Sequence, residues 1–321
     1  MIGFHKMSIW HLVLGCALTF FVLIPGGGAV AVRRRWRRFR RAVVEASSLP
    51  TVTYARLAAL RQGAGDAGGA DSSGGRFRIF GRLEAIEDDD VIWLNDGTIS
   101  VAADVADTVV YLLPARDQRR GSFPEVTPDR MPWRRLTTLP ERTPVFVAGP
   151  LRLEGGRAVF RADGAEGLLL ILYDAPDDEL LEQAVWSGRQ RNEYWNPLTP
   201  ASLAVGSLAL LLVAFVVLRI PSDRAAAIVA VTAALVPVLP LLPPGIFAFA
   251  VYRRMWRRGR FLRAERDLLR LPAGRDAAAE ERARRAGRRA RLLELAAVGS
   301  LLVGIGINFY GALLFVSRVI F

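Results

Sequence analysis

The sequence predicts an α+β membrane protein, in which four transmembrane helices form a duplicated helical hairpin and accompany a small antiparallel, OB-like β-barrel module. Three observations lead to this fold class: four long apolar segments, a basic motif that occurs twice, and a central region whose apolar residues recur at every second position. The first two observations indicate helices in a membrane. The third indicates the strands of a separate module.

Apolar and charged residues are segregated along the chain. The protein has 321 residues, of which 52% are hydrophobic, a net charge of +12 and a mean hydropathy of +0.25. This combination is unusual for a soluble protein. Four apolar segments cover residues 9–32, 201–220, 225–252 and 292–321. Each has the roughly 20 residues that span about 30 Å of hydrocarbon, so transmembrane helices are favoured over buried core helices.

The first and third apolar segments are followed by the same basic motif. Residues 34–38 read Arg-Arg-Trp-Arg-Arg, and residues 254–258 read Arg-Met-Trp-Arg-Arg. The second and fourth segments both begin with Ala-Val-Gly-Ser-Leu, at residues 204–208 and 297–301. Matches in the same order favour a duplicated hairpin, with the β module inserted into the loop of the first copy.

The arginines indicate an orientation. They cluster directly after the first segment and between the third and fourth segments, whereas the loop between the second and third is short and nearly balanced in charge. By the positive-inside rule, both basic loops and the β module are cytoplasmic, and the N- and C-termini are extracytoplasmic. A strong preference for arginine over lysine, with Lys6 as the single lysine, favours the plasma (inner) membrane of a prokaryote.

Five regions are expected along the chain. Pro50 ends the first helix, residues 62–75 have the composition of a flexible linker, and Asp174 is suited to cap a helix. The regions are a first transmembrane helix with a basic juxtamembrane extension (1–50), a short helix and Gly/Ser/Ala linker (51–75), the cytoplasmic β-barrel module (76–174), an acidic helix with transmembrane helices 2 and 3 (175–252), and a basic helical hairpin with transmembrane helix 4 (253–321).

The β module is predicted from alternation of apolar and polar residues. Phe77 and Ile79 flank Arg78, for example, and Asp96-Gly97 is a strong signal for a tight hairpin. Six or seven short strands in about 100 residues indicate a small antiparallel barrel or sandwich, and an OB-like barrel is preferred. A long loop rich in proline and arginine, residues 115–143, interrupts the strands.

The available residue types exclude most familiar catalytic sites. The chain has only two histidines, His5 and His11, and one cysteine, Cys16. The β module therefore holds no Ser-His-Asp triad, no Cys-His dyad and no zinc site made of His and Cys ligands. No phosphate-binding loop or dinucleotide fingerprint is present either. We expect no catalytic residues, no cofactor and a non-enzymatic role.

One acidic cluster is a weak candidate for metal binding, comprising Glu87, Asp88, Asp89 and Asp90. Dense carboxylates can bind calcium or magnesium, but this cluster lacks the ligand spacing and the glycine of a known calcium loop. The alternative is a solvated turn between the first two strands, where aspartate is favoured by turn geometry.

The basic residues favour membrane lipids over nucleic acid as partners. In the β module, 16 acids outnumber 13 arginines, whereas a phosphate-binding face needs a positive excess. The positive charge lies beside the apolar segments instead, where arginines attract anionic headgroups and tryptophans favour the interface. The candidate headgroup and interface residues are Arg34, Arg35, Trp36, Arg37, Arg38, Arg254, Trp256, Arg257 and Arg258.

The sequence favours a protein-interaction or scaffold element at the inner leaflet, with an unknown protein partner. The candidate partner surface comprises the acidic cluster together with Trp133, Arg134 and Arg135 of the long loop. The first alternative is a transporter or channel component built from the duplicated hairpin, which needs a homo-oligomer to enclose a path. The second alternative is an anionic-lipid-binding membrane protein.

A membrane helix, a β module, an acidic helix and a second membrane helix follow one another over residues 1–220. This order resembles the architecture of membrane-anchored ubiquitin ligases of the GIDE type. The zinc-binding ligase part of those proteins is absent, because a single cysteine cannot form it. The resemblance is limited to architecture and implies no ligase activity.

Overall fold

The computed structural model describes residues 2–66, 72–113, 128–136, 138–163, 167–187, 189, 192–220, 223–271 and 277–320. The chain divides into two compact units. The helical unit comprises Met1–Trp36, Arg191–Arg263 and Arg284–Phe321, and the barrel unit comprises Arg37–Gln190 and Ala264–Ala283. Each unit contains an apolar core of its own.

Long apolar helices are present where three of the four segments were predicted. In the part of the chain that the structure describes, Ile9–Ser47, Leu198–Val217 and Ala277–Val319 are long and apolar enough to cross a membrane. The helices and turns are α1 Ile2–Leu18, a π-helical turn Thr19–Leu23, α2 Ile24–Ser47, α3 Tyr54–Asp66, α4 Leu180–Trp186, α5 Leu198–Val217, α6 Arg224–Ala234, a 3-10 turn Leu239–Leu241, α7 Pro243–Leu268 and α8 Ala277–Ile320.

The third predicted segment, residues 225–252, is not one continuous helix. A break separates α6 from α7 because proline lacks an amide donor and clashes with the preceding turn. The prolines of this region are Pro237, Pro240, Pro243 and Pro244. Two carbonyls at the break accept hydrogen bonds from other helices: Ser207 Oγ donates to Ala234 O at 2.8 Å, and Asn308 Nδ2 donates to Leu239 O at 2.7 Å. The predicted count of four transmembrane helices is not confirmed.

A π-helical turn interrupts the first long helix at Thr19–Leu23. Its hydrogen bonds reach one residue further than in an α-helix, so carbonyls near it become available to other partners. Ser202 Oγ donates to Phe20 O at 2.6 Å, and the Tyr194 hydroxyl donates to Phe21 O at 2.7 Å. The turn thereby joins the first helix to α5 and to the segment that precedes α5.

Glycines allow two close helix contacts in the helical unit. A Cβ added to Gly206 of α5 lies 2.5 Å from Phe20 Cβ, and one added to Gly304 of α8 lies 2.3 Å from Ala248 Cβ. Small residues permit this approach between membrane helices. Gly299 is the counterpart of Gly206 in the sequence repeat, yet no atom lies within 4 Å of a Cβ added there. The two copies are not packed alike at this position, and the duplication is not confirmed.

The β module contains a closed barrel of five strands. The strands are β1 Ser72–Glu87, β2 Val91–Asn95, β3 Ser100–Asp104, β4 Val109–Leu113, β5 Asp129–Pro132, β6 Pro144–Glu154, β7 Arg157–Phe160 and β8 Leu169–Tyr173. The barrel closes in the order β1-β2-β3-β7-β6, because β1 pairs with both β2 and β6, while β8, β4 and β5 extend the sheet from β6. The predicted small barrel is confirmed. The barrel is not wholly antiparallel, since β3 and β7 pair in parallel. Outside the barrel, β4 and β8 are also a parallel pair.

The barrel core follows the period of two in the sequence. Phe77, Ile79 and Leu83 of β1 are buried together with Val145 and Val147 of β6. Alternate residues of a strand point to the same face, so this pattern places one apolar face of each strand inside the barrel.

The region predicted as a long loop, residues 115–143, contains ordered elements. It includes β5 and a 3-10 turn, Trp133–Arg135, and β5 pairs with β4. The Trp133 side chain lies in the barrel core, and its Nε1 donates to Asp89 O at 2.6 Å. Burial of this one aromatic side chain anchors the turn to the β1–β2 connection. Residues 114–127 and 137 lie outside the described residues.

The segments that flank the barrel differ from the sequence prediction. Helix α3 extends to Asp66 and β1 begins already at Ser72, while residues 67–71 of the predicted linker lie outside the described residues. The predicted acidic helix is short: α4 begins at Leu180, after a turn. Asp177 of this turn accepts hydrogen bonds from the Tyr173 hydroxyl at 2.6 Å and from Arg82 Nη2 at 3.1 Å. These bonds tie the turn to the barrel.

Candidate functional site

The predicted headgroup residues of α2 divide into two faces. Arg34, Arg35, Arg37 and Arg38 are exposed, but Trp36 is only 9% exposed. Trp36 shares the apolar stripe of α2 with Phe39 and Val43, which follow at helical spacing and are buried as well. Exposed arginines therefore surround a tryptophan that packs inward.

The corresponding motif of α7 shows the same division. Arg254, Arg257 and Arg258 are exposed, whereas Trp256 is half-buried. The Trp256 ring stacks on Tyr252 with centroids 5.6 Å apart, and the Arg260 guanidinium lies 4.4 Å from its centroid. A cation over an indole ring is stabilised by roughly 1–2 kcal/mol when it is desolvated. Trp256, which was predicted to lie at the membrane interface, therefore packs against the buried side chain of Arg260.

A buried ion-pair cluster lies in the helical unit and is formed by Arg33, Glu193, Arg260, Arg263 and Glu294; we call it the arginine–glutamate cluster. Glu294 of α8 accepts hydrogen bonds from Arg263 and lies 3.4 Å from Arg33 Nη2. The Arg260 side chain, which is 4% exposed, pairs with Glu193, and its Nε lies 3.8 Å from Glu294 Oε1. Buried charges are tolerated only when they are paired, so the cluster joins α2, α7, α8 and the segment before α5.

The composition of this cluster determines what it can do. Two carboxylates meet three guanidinium groups, and both carboxylates are engaged by arginine. Burial lowers the pKa of Arg260, and the charges of Glu193 and Glu294 oppose that shift. An arginine remains protonated in such a setting. The arrangement is suited to hold helices together and provides no unengaged carboxylate for proton transfer or metal binding.

Sequence reasoning missed both carboxylates of the cluster. Each of Glu193 and Glu294 is an isolated acid close to the start of an apolar segment, with arginines nearby in the sequence. An acid at such a position needs a buried partner, and that signal was available.

A second buried ion pair lies in the barrel unit. Arg189, which is 3% exposed, donates to Asp267, and Arg266 Nε donates to the other Asp267 oxygen at 2.8 Å. Burial raises the pKa of Asp267, but the charges of Arg189 and Arg266 outweigh this effect, so the pKa lies below its ordinary value of 3.8. Asp267 is thus a carboxylate whose ionised form the fold stabilises.

The acidic cluster from Glu87 to Asp90 forms the tight turn between β1 and β2. Asp88 and Asp89 adopt positive φ angles of 51° and 62°, which aspartate tolerates better than most residues. Glu87 accepts a hydrogen bond from Trp93 Nε1 at 2.8 Å. Within the described residues, no group of three or more His, Cys, Asp or Glu side chains is placed to hold a metal ion. The geometry matches the turn interpretation.

The predicted partner surface around Trp133 needs a correction. Trp133 is 3% exposed and belongs to the barrel core, so it offers no surface to a partner. Its position in a segment rich in proline and arginine gave no sign of this, because its buried partner Asp89 is distant along the chain. Arg134 and Arg135 are exposed, and Arg134 lies 3.7 Å from Asp107.

A groove of about 730 Å³ opens at one end of the barrel, and sequence reasoning did not identify it. It lies beside residues 80–84 of β1, the β2–β3 turn, Arg142 and Asp177, and we call it the β1 groove. The sequence predicted a strand that includes residues 81–84 and a turn at residues 95–97, but not that they meet Arg142 and Asp177. The remaining residues are far apart in the chain and meet only because β1 changes its pairing partner here from β6 to β2.

Two guanidinium groups line the β1 groove. Arg82 Nη2 donates to Asp177, while Arg82 Nη1 is buried and has no hydrogen-bond partner in the part of the chain described. Arg142 is exposed and has a φ angle of 64°, a strained value for a residue with a side chain. Its amide donates to Leu83 O at 2.8 Å, which holds Arg142 in this conformation.

The carboxylates of the groove are committed to internal hydrogen bonds. Asp96 Oδ1 accepts from Thr98 N at 2.8 Å, Thr98 Oγ1 at 2.8 Å and Ile99 N at 2.9 Å. Burial raises the pKa of Asp96, but these bonds outweigh it and the pKa is lowered. Glu84 accepts from Ser100 Oγ at 2.8 Å. One oxygen of each of these carboxylates thus accepts internal hydrogen bonds.

Comparison with known proteins identifies no relative: no family model matches the chain, and neither a curated protein nor a solved structure is similar to it.

Proposed function

We propose that the chain is a multi-pass integral membrane protein of a prokaryotic plasma membrane, whose barrel is a cytoplasmic, non-enzymatic protein-interaction or scaffold element. One observation carries this proposal: the second half of the long helix Ile9–Ser47, after its apolar half, carries the exposed Arg34, Arg35, Arg37 and Arg38. Arginines at this position hold a helix end on the cytoplasmic side and contact anionic headgroups. The barrel follows in the sequence after the short helix α3.

The strand order supports an OB-like module. In chain order the five barrel strands close as first, second, third, fifth and fourth, with the third and fifth parallel. This order is compatible with the five-stranded Greek-key barrel of the OB-fold, which presents binding surfaces without catalytic residues of its own. The net negative charge of the module favours a protein over nucleic acid as its partner.

The broken third segment supplies the fourth crossing in this proposal. Helix α6 has 11 residues, or about 16 Å of helix, and is too short to cross alone. Together with the apolar start of α7 it reaches the required length. A single crossing by α6 and α7 places the exposed arginines of α2 and α7 on the same side, and both termini on the opposite side.

Cysteine labelling in intact cells tests this topology. In a Cys16→Ala background, one cysteine is introduced at Arg135, which is exposed on the barrel, or at Arg318, which is exposed near the end of α8. A membrane-impermeant maleimide is expected to label Arg318→Cys in intact cells and Arg135→Cys only after permeabilisation. The unsubstituted background controls for other thiols. Labelling of Arg135→Cys in intact cells contradicts the proposal.

Transport is a second candidate, favoured by the break between α6 and α7. Interrupted membrane helices line substrate sites in transporters, and Asn308 is a buried polar group at this break. Its amide is engaged by Leu239 O, which is consistent with a structural role. The scaffold and transport hypotheses are distinguished with purified protein in vesicles that contain a pH-sensitive dye, which reports proton flux. Transport predicts a proton flux that is abolished in a correctly folded Asn308→Leu variant. The scaffold hypothesis predicts no flux in either protein.

A further inference from the structure

We propose that the arginine–glutamate cluster binds the phosphate group of an anionic lipid and that Arg33 is the residue that contacts this phosphate. Arg33 is not one of the exposed arginines of α2 that the proposed function assigns to headgroup contacts. The inference rests on the proposed function, because it takes the helical unit to lie in a membrane, and it adds one defined lipid site to that function.

The cluster carries one positive charge more than its carboxylates neutralise. Three arginines, Arg33, Arg260 and Arg263, meet two glutamates. Among the described residues, Arg260 pairs with Glu193, and Arg263 donates to both oxygens of Glu294. Each carboxylate thereby has one arginine bound to it at short distance. Arg33 is the arginine that remains without a carboxylate of its own, so the cluster attracts a further anion.

Arg33 is also the arginine of the cluster that an anion reaches most easily. Its side chain is 32% exposed, compared with 13% for Arg263 and 4% for Arg260. Arg33 Nη2 donates to Glu294 at 3.4 Å, and this is its one side-chain hydrogen bond in the described part of the chain. A guanidinium has about five N–H donors, so most of the donors of Arg33 are available to a ligand.

The guanidinium groups of Arg33 and Arg263 converge on one carboxylate oxygen. Arg33 Nη2 and Arg263 Nη2 both donate to Glu294 Oε2. Two like charges this close repel each other, and a phosphate that contacts Arg33 lowers that repulsion. Hydrogen bonds from arginine to phosphate are charge-assisted, and two parallel bonds fit the planar guanidinium. The cluster therefore has the charge and the accessible donors that a phosphate requires.

The position of Arg33 in the sequence favours a phosphate that belongs to a lipid. Arg33 is the first charged residue after the apolar segment of residues 9–32. In the proposed topology it lies where the hydrocarbon ends and the headgroups begin. A charge that is partly buried is screened by salt much less than an exposed one. We therefore expect a lipid at Arg33 to stay bound at a salt concentration that weakens contacts with the exposed Arg34.

Lipid binding is measured by native mass spectrometry of the full-length chain in detergent. Phosphatidylglycerol, which is anionic, and phosphatidylcholine, which is not, are titrated separately in about 0.1 M and about 0.5 M ammonium acetate. Inorganic phosphate is the competitor, because it offers the same phosphate chemistry without an acyl chain. We expect phosphatidylglycerol to bind more tightly than phosphatidylcholine at both salt concentrations. Inorganic phosphate at the same concentration is expected not to displace it.

Two substitutions at adjacent arginines of α2 locate the site. Arg33→Gln removes charge-assisted hydrogen bonds to the phosphate, so affinity for phosphatidylglycerol is expected to fall about tenfold at the higher salt concentration. Arg34→Gln is the matched control, because Arg34 is the next residue and is exposed. It is expected to weaken binding only at the lower salt concentration, where contacts with an exposed charge are not screened.

The Arg33→Gln protein is expected to fold, because Glu294 keeps both of its bonds to Arg263. Thermal unfolding without added lipid checks this. A purely structural role of Arg33 changes that melting temperature but not the preference for phosphatidylglycerol over phosphatidylcholine. If Arg33→Gln fails to fold, Arg33→Lys decides: it keeps the charge without the planar fork of donors, and its affinity at the higher salt concentration is expected to be lower than that of the wild type.

Four results overturn this inference. They are equal affinity for the two lipids at the higher salt concentration, full displacement by inorganic phosphate, equal losses in Arg33→Gln and Arg34→Gln at the higher salt concentration, and wild-type affinity in Arg33→Lys where Arg33→Gln does not fold. Each leaves the proposed function standing if cysteine labelling still places Arg135→Cys in the cytoplasm. Labelling of that cysteine in intact cells removes the proposed function, whichever lipid binds.

Discussion

At the scale of single residues, partners distant in the sequence decide which side chains face outward. Trp36, Trp133 and Trp256 all stand beside arginine in the sequence, and each was expected at an interface or on a partner surface. Trp36 and Trp133 are buried and Trp256 stacks beneath Arg260. A tryptophan next to arginine occurs in sequence both at lipid interfaces and in packed protein interiors, because the indole ring is stable in both environments. Only the fold distinguishes them.

Gly304 is predicted to be far more sensitive to substitution than Gly299. In Gly304→Ala the new Cβ meets Ala248 Cβ at 2.3 Å, and α7 and α8 must separate, which costs about 1–3 kcal/mol. Gly299→Ala meets no atom within 4 Å and gains helix propensity, about 1 kcal/mol in its favour. Thermal unfolding in detergent is expected to give melting temperatures that move in opposite directions. Equal effects at the two positions contradict the close contact.

Asp267 is predicted to make stability depend on pH in the acidic range. Its folded-state pKa lies below the unfolded value, so the ionised form stabilises the fold above about pH 4, and this stabilisation is lost as the pH falls through the folded pKa. Asp267→Asn removes the charge that Arg189 and Arg266 contact and costs about 3–5 kcal/mol at pH 7. Melting temperatures measured between pH 7 and pH 3 should converge for wild type and variant at the acidic end. A constant difference across that range argues against the ion pair.

At the scale of elements, long apolar segments predicted the helices, and the alternation of apolar and polar residues predicted the strands. The long apolar helices Ile9–Ser47, Leu198–Val217 and Ala277–Val319 coincide with three of the predicted segments, and the barrel lies in the region with apolar–polar alternation, because both signals are local. The third segment failed as one helix because hydropathy does not register how four prolines interrupt hydrogen bonding. The parallel pairs β3–β7 and β4–β8 were also missed, since pairing partners are not encoded in the pattern of a single strand.

The exposed arginines of α2 are predicted to favour anionic lipid. Arg34→Gln with Arg35→Gln removes two charges and should weaken stabilisation by phosphatidylglycerol by about 1 kcal/mol for each arginine. Thermal shifts of the full chain in detergent, with phosphatidylglycerol or phosphatidylcholine added, measure this effect. The matched control is Arg134→Gln with Arg135→Gln on the barrel, which also removes two exposed arginines. An equal loss in both double variants shows a general charge effect and contradicts lipid contact at α2.

At the scale of the whole molecule, the chain has two cores and helices that take part in both units. The barrel core is centred on β1 and β6, and the helical core on α1, α5 and α6. Helices α2, α7 and α8 each contribute residues to both units. The arginine–glutamate cluster and the Arg189–Asp267 pair belong to different units, and neither was predicted. Both depend on residues separated by many tens of positions, which no local pattern brings together.

Unfolding is predicted to occur in two separable transitions. Two compact units with separate cores need not melt together, and a two-state description then fails. Gly304→Ala is expected to lower the transition of the helical unit, and Asp267→Asn that of the barrel unit. Calorimetry in detergent, combined with near-ultraviolet circular dichroism, measures both. A single transition that both variants lower equally shows that the shared helices couple the units completely.

The π-helical turn at Thr19–Leu23 has a geometric consequence for everything downstream of it. Such a turn is the trace of one extra residue in a helix, and each helical residue advances the azimuth by about 100°. The wider turn takes up the extra residue, so deleting one residue there restores the regular ladder and leaves the azimuth of the following arginines nearly unchanged. The first helix thus gains carbonyls that Ser202 and Tyr194 bind without turning its basic extension to another side.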